Sequence, residues 1–179
     1  MSARDRKVDH MRDEIDLGVI AIGSRIPRDR KPCRRATSSA SWYERGVALE
    51  STDVAGAIQA YERALAGLPS HADAHCNLGR LRHERGEVAA AESHYRLALC
   101  ARPEVALYWF NLGVAVEDRG GTALAIACYR EAVAREPDLL DAHYNLARLY
   151  ERAGDLPSAH LAVRHLTRYR ALSRRTLSR

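Results

Sequence analysis

The sequence has one phenylalanine, two tryptophans and two methionines in 179 residues, so a core built on large aromatic clusters is excluded. Its longest apolar stretch, Leu17 to Gly23, falls far short of the roughly 20 residues that a membrane-spanning helix needs. That stretch follows Asp13, Glu14 and Asp16 rather than a basic segment, and no small-residue cleavage motif comes after it, which argues against a secretory signal and for a cytoplasmic protein. The four cysteines, Cys33, Cys76, Cys100 and Cys128, form neither a C-x-x-C motif nor a disulfide framework, and are expected to be reduced and packed. There is no nucleophile elbow, P-loop or G-x-G-x-x-G motif. No cofactor is implied, and the expected class is non-enzymatic.

What is present favours helices. The chain is 46% hydrophobic and rich in Ala, Leu and Arg, side chains that lose little rotamer freedom on a helix, so an all-α domain is expected. The net charge of +5 is uneven: residues 1–40 carry 10 basic and 6 acidic side chains, residues 41–163 carry 12 and 17, and residues 164–179 carry 6 and none. An acidic middle lies between basic ends.

Aligned against itself, the sequence repeats at an offset of 34. Pro69, Pro103 and Pro137 coincide, as do Tyr61, Tyr95 and Tyr129, and Ala57, Ala91, Ala125 and Ala159. Gly86, Gly120 and Gly154 form another column, and Asn77, Asn111 and Asn145 another. Repeat three reads Trp109, Leu112, Gly113, Ala125, Tyr129, Ala132 and Pro137, which resembles the W-x2-L-G-x2-Y, A-x3-F and P pattern of the tetratricopeptide repeat family. The resemblance covers residues 39–173 and implies an α-solenoid of four helix-turn-helix repeats, at 39–71, 72–105, 106–139 and 140–173, with an extended C-terminal capping helix. The first repeat is one residue short between Gly46 and Ala57, so a different inter-helix turn is expected there. The fourth has Ala147, Val163 and Leu166 in place of Gly, an aromatic and Ala.

Each column has a physical reason. Gly79 and Gly113 lie inside helices, where glycine costs about 1 kcal/mol against alanine; close approach of Ala91 and Ala125 on the partner helix is the expected compensation. Gly86, Gly120 and Gly154 are expected to end the first helices in the left-handed conformation. Asp53, Thr122 and Asp155 are expected to cap the second helices, and the prolines to stop them. Repeat four has Ala171 at the proline position and no Gly or Pro after Pro157. Its second helix should therefore run into the 174–179 tail, with Leu166 and Tyr169 covering the open end.

At 100° per residue, repeat positions 4, 7, 8 and 11 of each first helix face the core, and positions 2, 5, 6, 9, 12 and 13 face a concave groove. Position 6 holds Asn77, Asn111 and Asn145, whose amides each offer two donors and an acceptor to a peptide backbone. This resembles the asparagine ladder of tetratricopeptide superhelices that hold extended peptides by the main chain; the alternative is a consensus residue serving helix solubility. Leu107, Phe110 and Val114 suggest a pocket for a ligand side chain. Arg80 and Arg148 at position 9 are placed to take a carboxylate, with Tyr144 beside them and Glu84, Glu117, Asp118 and Glu151 as a rim. A solvated charged face is the other reading of those residues. The carboxylate-clamp subset of the family has Lys where this chain has Tyr43. His71 and His75 straddle a repeat junction with no further ligand nearby in sequence, and His75 and His143 share core position 4, so neutral packed imidazoles are expected rather than a metal site.

Residues 1–38 match no repeat. Met11, Ile15, Val19 and Ile22 have helical spacing, and Gly23 to Ser41 reads as a basic, disordered linker. The repeats also resemble, more weakly, the tetratricopeptide tails of bacterial winged-helix regulators. The expected function is a protein or peptide adaptor using the groove. A regulatory module whose basic ends touch nucleic acid, with the repeats recruiting or dimerising, is the alternative.

Overall fold

The computed structural model describes residues 38–177; the helical spacing at Met11 to Ile22, most of the basic linker and Cys33 lie outside the described residues. Eight helices follow one another: α1 (Ser39–Leu49), α2 (Val54–Gly67), α3 (Ala72–Glu84), α4 (Val88–Ala101), α5 (Ala106–Asp118), α6 (Thr122–Arg135), α7 (Leu140–Ala153) and α8 (Leu156–Leu177). Each odd helix packs on the even helix after it, and each hairpin packs on the next. The expected linker overruns: Ser39 to Ser41 already belong to α1, and the Ser38 side chain accepts from the Ser41 amide. A serine-rich stretch reads as linker by composition but also supplies a helix cap.

The turns follow from local chemistry. Gly86, Gly120 and Gly154 have φ of 78°, 84° and 74°, the left-handed conformation that ends a helix without strain only at glycine. The shorter first repeat has no such residue; there the Leu49 carbonyl accepts from the Thr52 and Asp53 amides. α2, α4 and α6 each end two residues before a proline, at Leu68, Arg102 and Glu136, whose ψ of 88°, 83° and 91° is the extended value that proline imposes on its predecessor. Asp53 and Asp155 cap α2 and α8 through bonds from Gly56 and Ser158. Thr122 does not cap α6: it is the first helical residue, and Gly121 occupies the cap position with no side chain to offer.

The glycines at the helix crossings serve a different neighbour from the expected one. A Cβ on Gly46, Gly79 or Gly113 would sit 2.6, 2.8 or 2.7 Å from the ring of Tyr61, Tyr95 or Tyr129. The compensation for glycine is thus a buried tyrosine ring lying flat on the backbone, not the approach of Ala91 or Ala125, which are themselves fully buried farther up the helix. In repeat four the pair is Ala147 and Val163: with no ring, no glycine is needed.

Position 4 fastens successive hairpins together. His75 Nε2, Trp109 Nε1 and His143 Nε2 donate to the carbonyls of Pro69, Pro103 and Pro137 at 2.9, 2.8 and 3.0 Å. Indole and imidazole place an N–H equally well, which explains their interchange. At the middle joint Arg135 lies over the Trp109 ring and donates to the same Pro103 carbonyl. At the other two a second histidine completes the contact: Nδ1 of His94 is 3.1 Å from Nδ1 of His75, and that of His165 is 2.9 Å from that of His143. Since each Nε2–H is committed to a carbonyl, the neutral pair holds one further proton between the two Nδ1 atoms.

Two outcomes test this packing. Gly113→Ala should destabilise by about 1–3 kcal/mol through overpacking; made on a Tyr129→Val background, which copies repeat four, the same change should instead stabilise by up to about 1 kcal/mol through helix propensity, as measured by denaturant unfolding. Burial, reinforced by His143, Arg164 and Arg130, pushes the His165 pKa down to about 4, and burial with His75 and Arg82 lowers that of His94. A lowered histidine pKa means that the unfolded chain binds the proton more readily, so this stabilisation is complete above the ordinary value of about 6.5 and is lost as pH falls toward 4. Thermal melts across that window should show a steeper loss for the parent than for His165→Gln.

Candidate functional site

The first helices lie side by side, and polar bonds cross directly between them. Arg80 of α3 reaches Glu50 at the end of α1 (2.5 Å), His83 of α3 meets Asp118 of α5 (2.7 Å), Asn111 of α5 donates to Cys76 Sγ of α3 (3.3 Å), and Arg148 of α7 reaches Glu117 of α5 (2.6 Å). This face carries every candidate binding residue.

Two of its joints have the same construction. At the first, Tyr61 donates to Glu50 Oε1 (2.6 Å), Arg80 holds Oε2, and Asn77 Nδ2 donates to the tyrosine hydroxyl (3.2 Å). At the third, Tyr129 donates to Glu117 (3.1 Å), Arg148 holds the other oxygen, and Asn145 lies beside the hydroxyl. Burial, with the adjacent carboxylate, pushes both phenol pKa values far up, so the hydroxyls remain donors. Asn77 and Asn145 are therefore half-buried members of inter-repeat networks as well as members of the expected ladder.

The middle joint departs from this plan. Position 12 of repeat two is His83 instead of Glu, and position 9 of repeat three is Val114 instead of Arg. The Glu–Arg pair of the other two joints, half-buried there, is thus absent here as a unit. The sequence carried this signal: Glu at position 12 of one repeat accompanies Arg at position 9 of the next, twice present and once jointly missing. Here the crossing contacts are His83 with Asp118 and Asn111 with Cys76, and apolar side chains stand where the arginine would be. Leu107 is 50% exposed, whereas Phe110 and Val114 are half-buried against the core, with Phe110 tilted on the Tyr129 ring at 5.7 Å. They form the floor beneath Leu107.

Arg80 is shared between Glu50 and Glu84, and Arg148 is held by Glu117; a ligand carboxylate would have to displace these. Tyr144 is 48% exposed and packs on Tyr169 at 5.4 Å. Tyr144 and Arg148 also line a recess of about 360 Å³ between α7 and α8, with Ala147, Glu151, Ala162 and Val163. Tyr43 stacks on His71 at 4.6 Å. His71 caps α3 through Nδ1. Among the described residues no three His, Cys, Asp or Glu side chains cluster as a metal site, and no helix is long and apolar enough to cross a membrane. Cys76 and Cys128 are buried, with burial pushing the Cys128 thiol up to about 11, but Cys100 is exposed, contrary to the expectation of packed thiols.

Stacked antiparallel hairpins, joined through a conserved spacing of Gly, Tyr and Pro within the chain, define an all-α repeat protein of the solenoid class. The chain belongs to the tetratricopeptide repeat family, which matches residues 46–106 and 110–166. Its fold is similar to that of a crystal structure of MamA, at 17% identity and a TM-score of 0.72, covering 80% of this chain and 82% of that one. The MamA fragment from Desulfovibrio magneticus gives 21%, 0.68, 78% and 77%. The first tetratricopeptide domain of Spaghetti (RPAP3), solved bound to an HSP90 peptide, gives 18%, 0.63, 66% and 94%. No curated protein matches the sequence significantly.

The networks set an expectation for stability. Asn77→Ala should cost about 1 kcal/mol, because it strips a bond from a buried phenol, while Asn111→Ala, which loses only a weak bond to sulfur, and Asn145→Ala should cost much less. Chemical denaturation of the three single variants checks the order.

Proposed function

We propose that the chain is an adaptor that holds an extended segment of a partner protein along the face of α1, α3, α5 and α7. Tetratricopeptide repeats serve protein–protein interaction, and as a scaffold family they are generally not enzymes. The observation that carries the reading is the line of Asn77, Asn111 and Asn145, of which Asn77 and Asn111 are tethered by their amide nitrogens to the preceding repeat. An amide so held has lost its rotamer freedom before any ligand arrives, and still offers one donor and one acceptor to a peptide unit. Leu107, above Phe110 and Val114, gives an apolar contact midway, and the Tyr144–Arg148 recess a second one.

Phosphate binding fits this face less well. Arg80 and Arg148 are already paired with carboxylates, so phosphate would find few uncommitted cations here. Tyr43 stands where the carboxylate clamp has Lys, which argues against gripping a chain terminus in that manner.

A photo-crosslinking residue at position 107 of the full chain should capture the partner, whose affinity is then compared among variants. Leu107→Glu should weaken binding by about tenfold or more, the equivalent of about 1.4 kcal/mol. Asn111→Ala should weaken it by about 1 kcal/mol, with both melting temperatures near that of the parent and only slight dependence on salt. Unchanged affinity in both variants would rule the face out; a steep decline with salt would point to phosphate contacts instead.

A further inference from the structure

The C-terminal end of the stack is unfinished in a way that specifies what would complete it. At the three internal joints the second helix presents a fully buried alanine and a buried tyrosine to the next hairpin: Ala57 and Tyr61, Ala91 and Tyr95, Ala125 and Tyr129, all at most 2% exposed. In α8 the same positions are Ala159, which is exposed, and Val163, which is 64% exposed; Leu156 is 78% exposed. Leu166 and Tyr169 were expected to cover this end, but Tyr169 leans on Tyr144 and both are only half-buried. The recess of about 360 Å³ lies here, lined in part by Ala159, Ala162, Val163 and Leu166. Along its edge stands Glu151, at position 12, with no partner among the described residues, whereas Glu50 and Glu117 at that position are each held by an arginine from the next first helix.

We propose that this end binds an amphipathic helix of another protein, seated where the first helix of a following repeat would lie, with leucines over Ala159 and Val163 and an arginine on Glu151. The occupant's chemistry is read from the internal joints. There the incoming helix supplies a leucine at position 7, Leu78, Leu112 or Leu146, at most 5% exposed, and at two joints an arginine two residues later, Arg80 or Arg148. Positions two residues apart lie about 200° from one another around a helix, so the leucine enters the joint while the arginine, on a different face, reaches the preceding first helix.

A second copy of this chain is a poor occupant. Its own α1, the helix available for head-to-tail stacking, has the charged, exposed Arg45 at position 7 and Val47 at position 9, the reverse of what the joint requires. Two α8 helices would oppose one another with Arg164, Arg170 and Arg174, and α8 itself carries no acidic residue, a like-charge juxtaposition. For the same reason the remaining charges of the partner helix should be acidic.

The test uses the full chain and two designed, fluorescently labelled helical peptides of about 15 residues, long enough for some four turns. Both have a leucine face and acidic flanks; the first has one arginine two residues after the central leucine, the second has glutamate there. The first should bind saturably and the second at least about tenfold more weakly. Glu151→Arg should invert that preference, a reciprocal swap that mere hydrophobic adhesion cannot produce. Val163→Asp should abolish binding of both while leaving the melting temperature and helicity unchanged, since the side chain is exposed. Leu107→Glu, two helices away on α5, should leave binding of these peptides unchanged while weakening the extended partner segment, which separates the two sites even though the recess borders the peptide face. Equal binding of the two peptides, no saturation below about 1 mM, self-association of the chain that Val163→Asp abolishes, or binding that emerges only after residues 1–37 are removed would each overturn the proposal.

Discussion

The contact on which the stack depends is a tyrosine ring laid against a glycine backbone. Tyr61, Tyr95 and Tyr129 are at most 2% exposed, and each ring fills the space that a Cβ at Gly46, Gly79 or Gly113 would occupy. Glycine lowers helix propensity at those positions, and burying a large aromatic surface more than offsets it. In a chain with so few other aromatics, these rings set the separation of the two helices in every complete hairpin.

The same rings link packing to the outer surface. A buried phenol hydroxyl needs a partner, and at two joints it finds a glutamate that is in turn held by an arginine of the following repeat. Core, inter-repeat joint and solvent-facing side chains thus form one continuous network. Where His83 replaces the glutamate, the arginine is gone too and the surface turns apolar around Leu107. The contrast between polar and apolar stretches of the proposed binding face follows from which joints carry the network.

The two ends of the stack differ for a related reason. Arg45 stands at a position that is leucine in every later repeat, and it lies exposed over the Trp42 ring at 5.7 Å, so the N-terminal end is finished with charge. The C-terminal end keeps the apolar character of an internal joint without its tyrosine, its glycine or an incoming arginine. Solenoids require polar outer faces on their terminal repeats; among the described residues the two ends meet that requirement unequally.

The sequence by itself determined the helix count and most of the turns, because these depend on interactions within a few residues; the cap of α6 and the start of α1 are the exceptions. Glycines with positive φ, prolines that force an extended predecessor and aspartate caps at Asp53 and Asp155 are all local, and the 34-residue period made each legible several times over. It also placed Asn77, Asn111 and Asn145 on one face. Only the tertiary structure decided what those residues touch. That Gly113 faces Tyr129 rather than Ala125, that Asn77 is anchored to a buried phenol, that Arg80 and Arg148 are already occupied, and that Val163 leaves a recess at the end all depend on groups brought together from different helices. A single helix carries no record of which neighbour its ring or its charge will meet; that is fixed when hairpins close and stack, and the side chains choose partners across the joints.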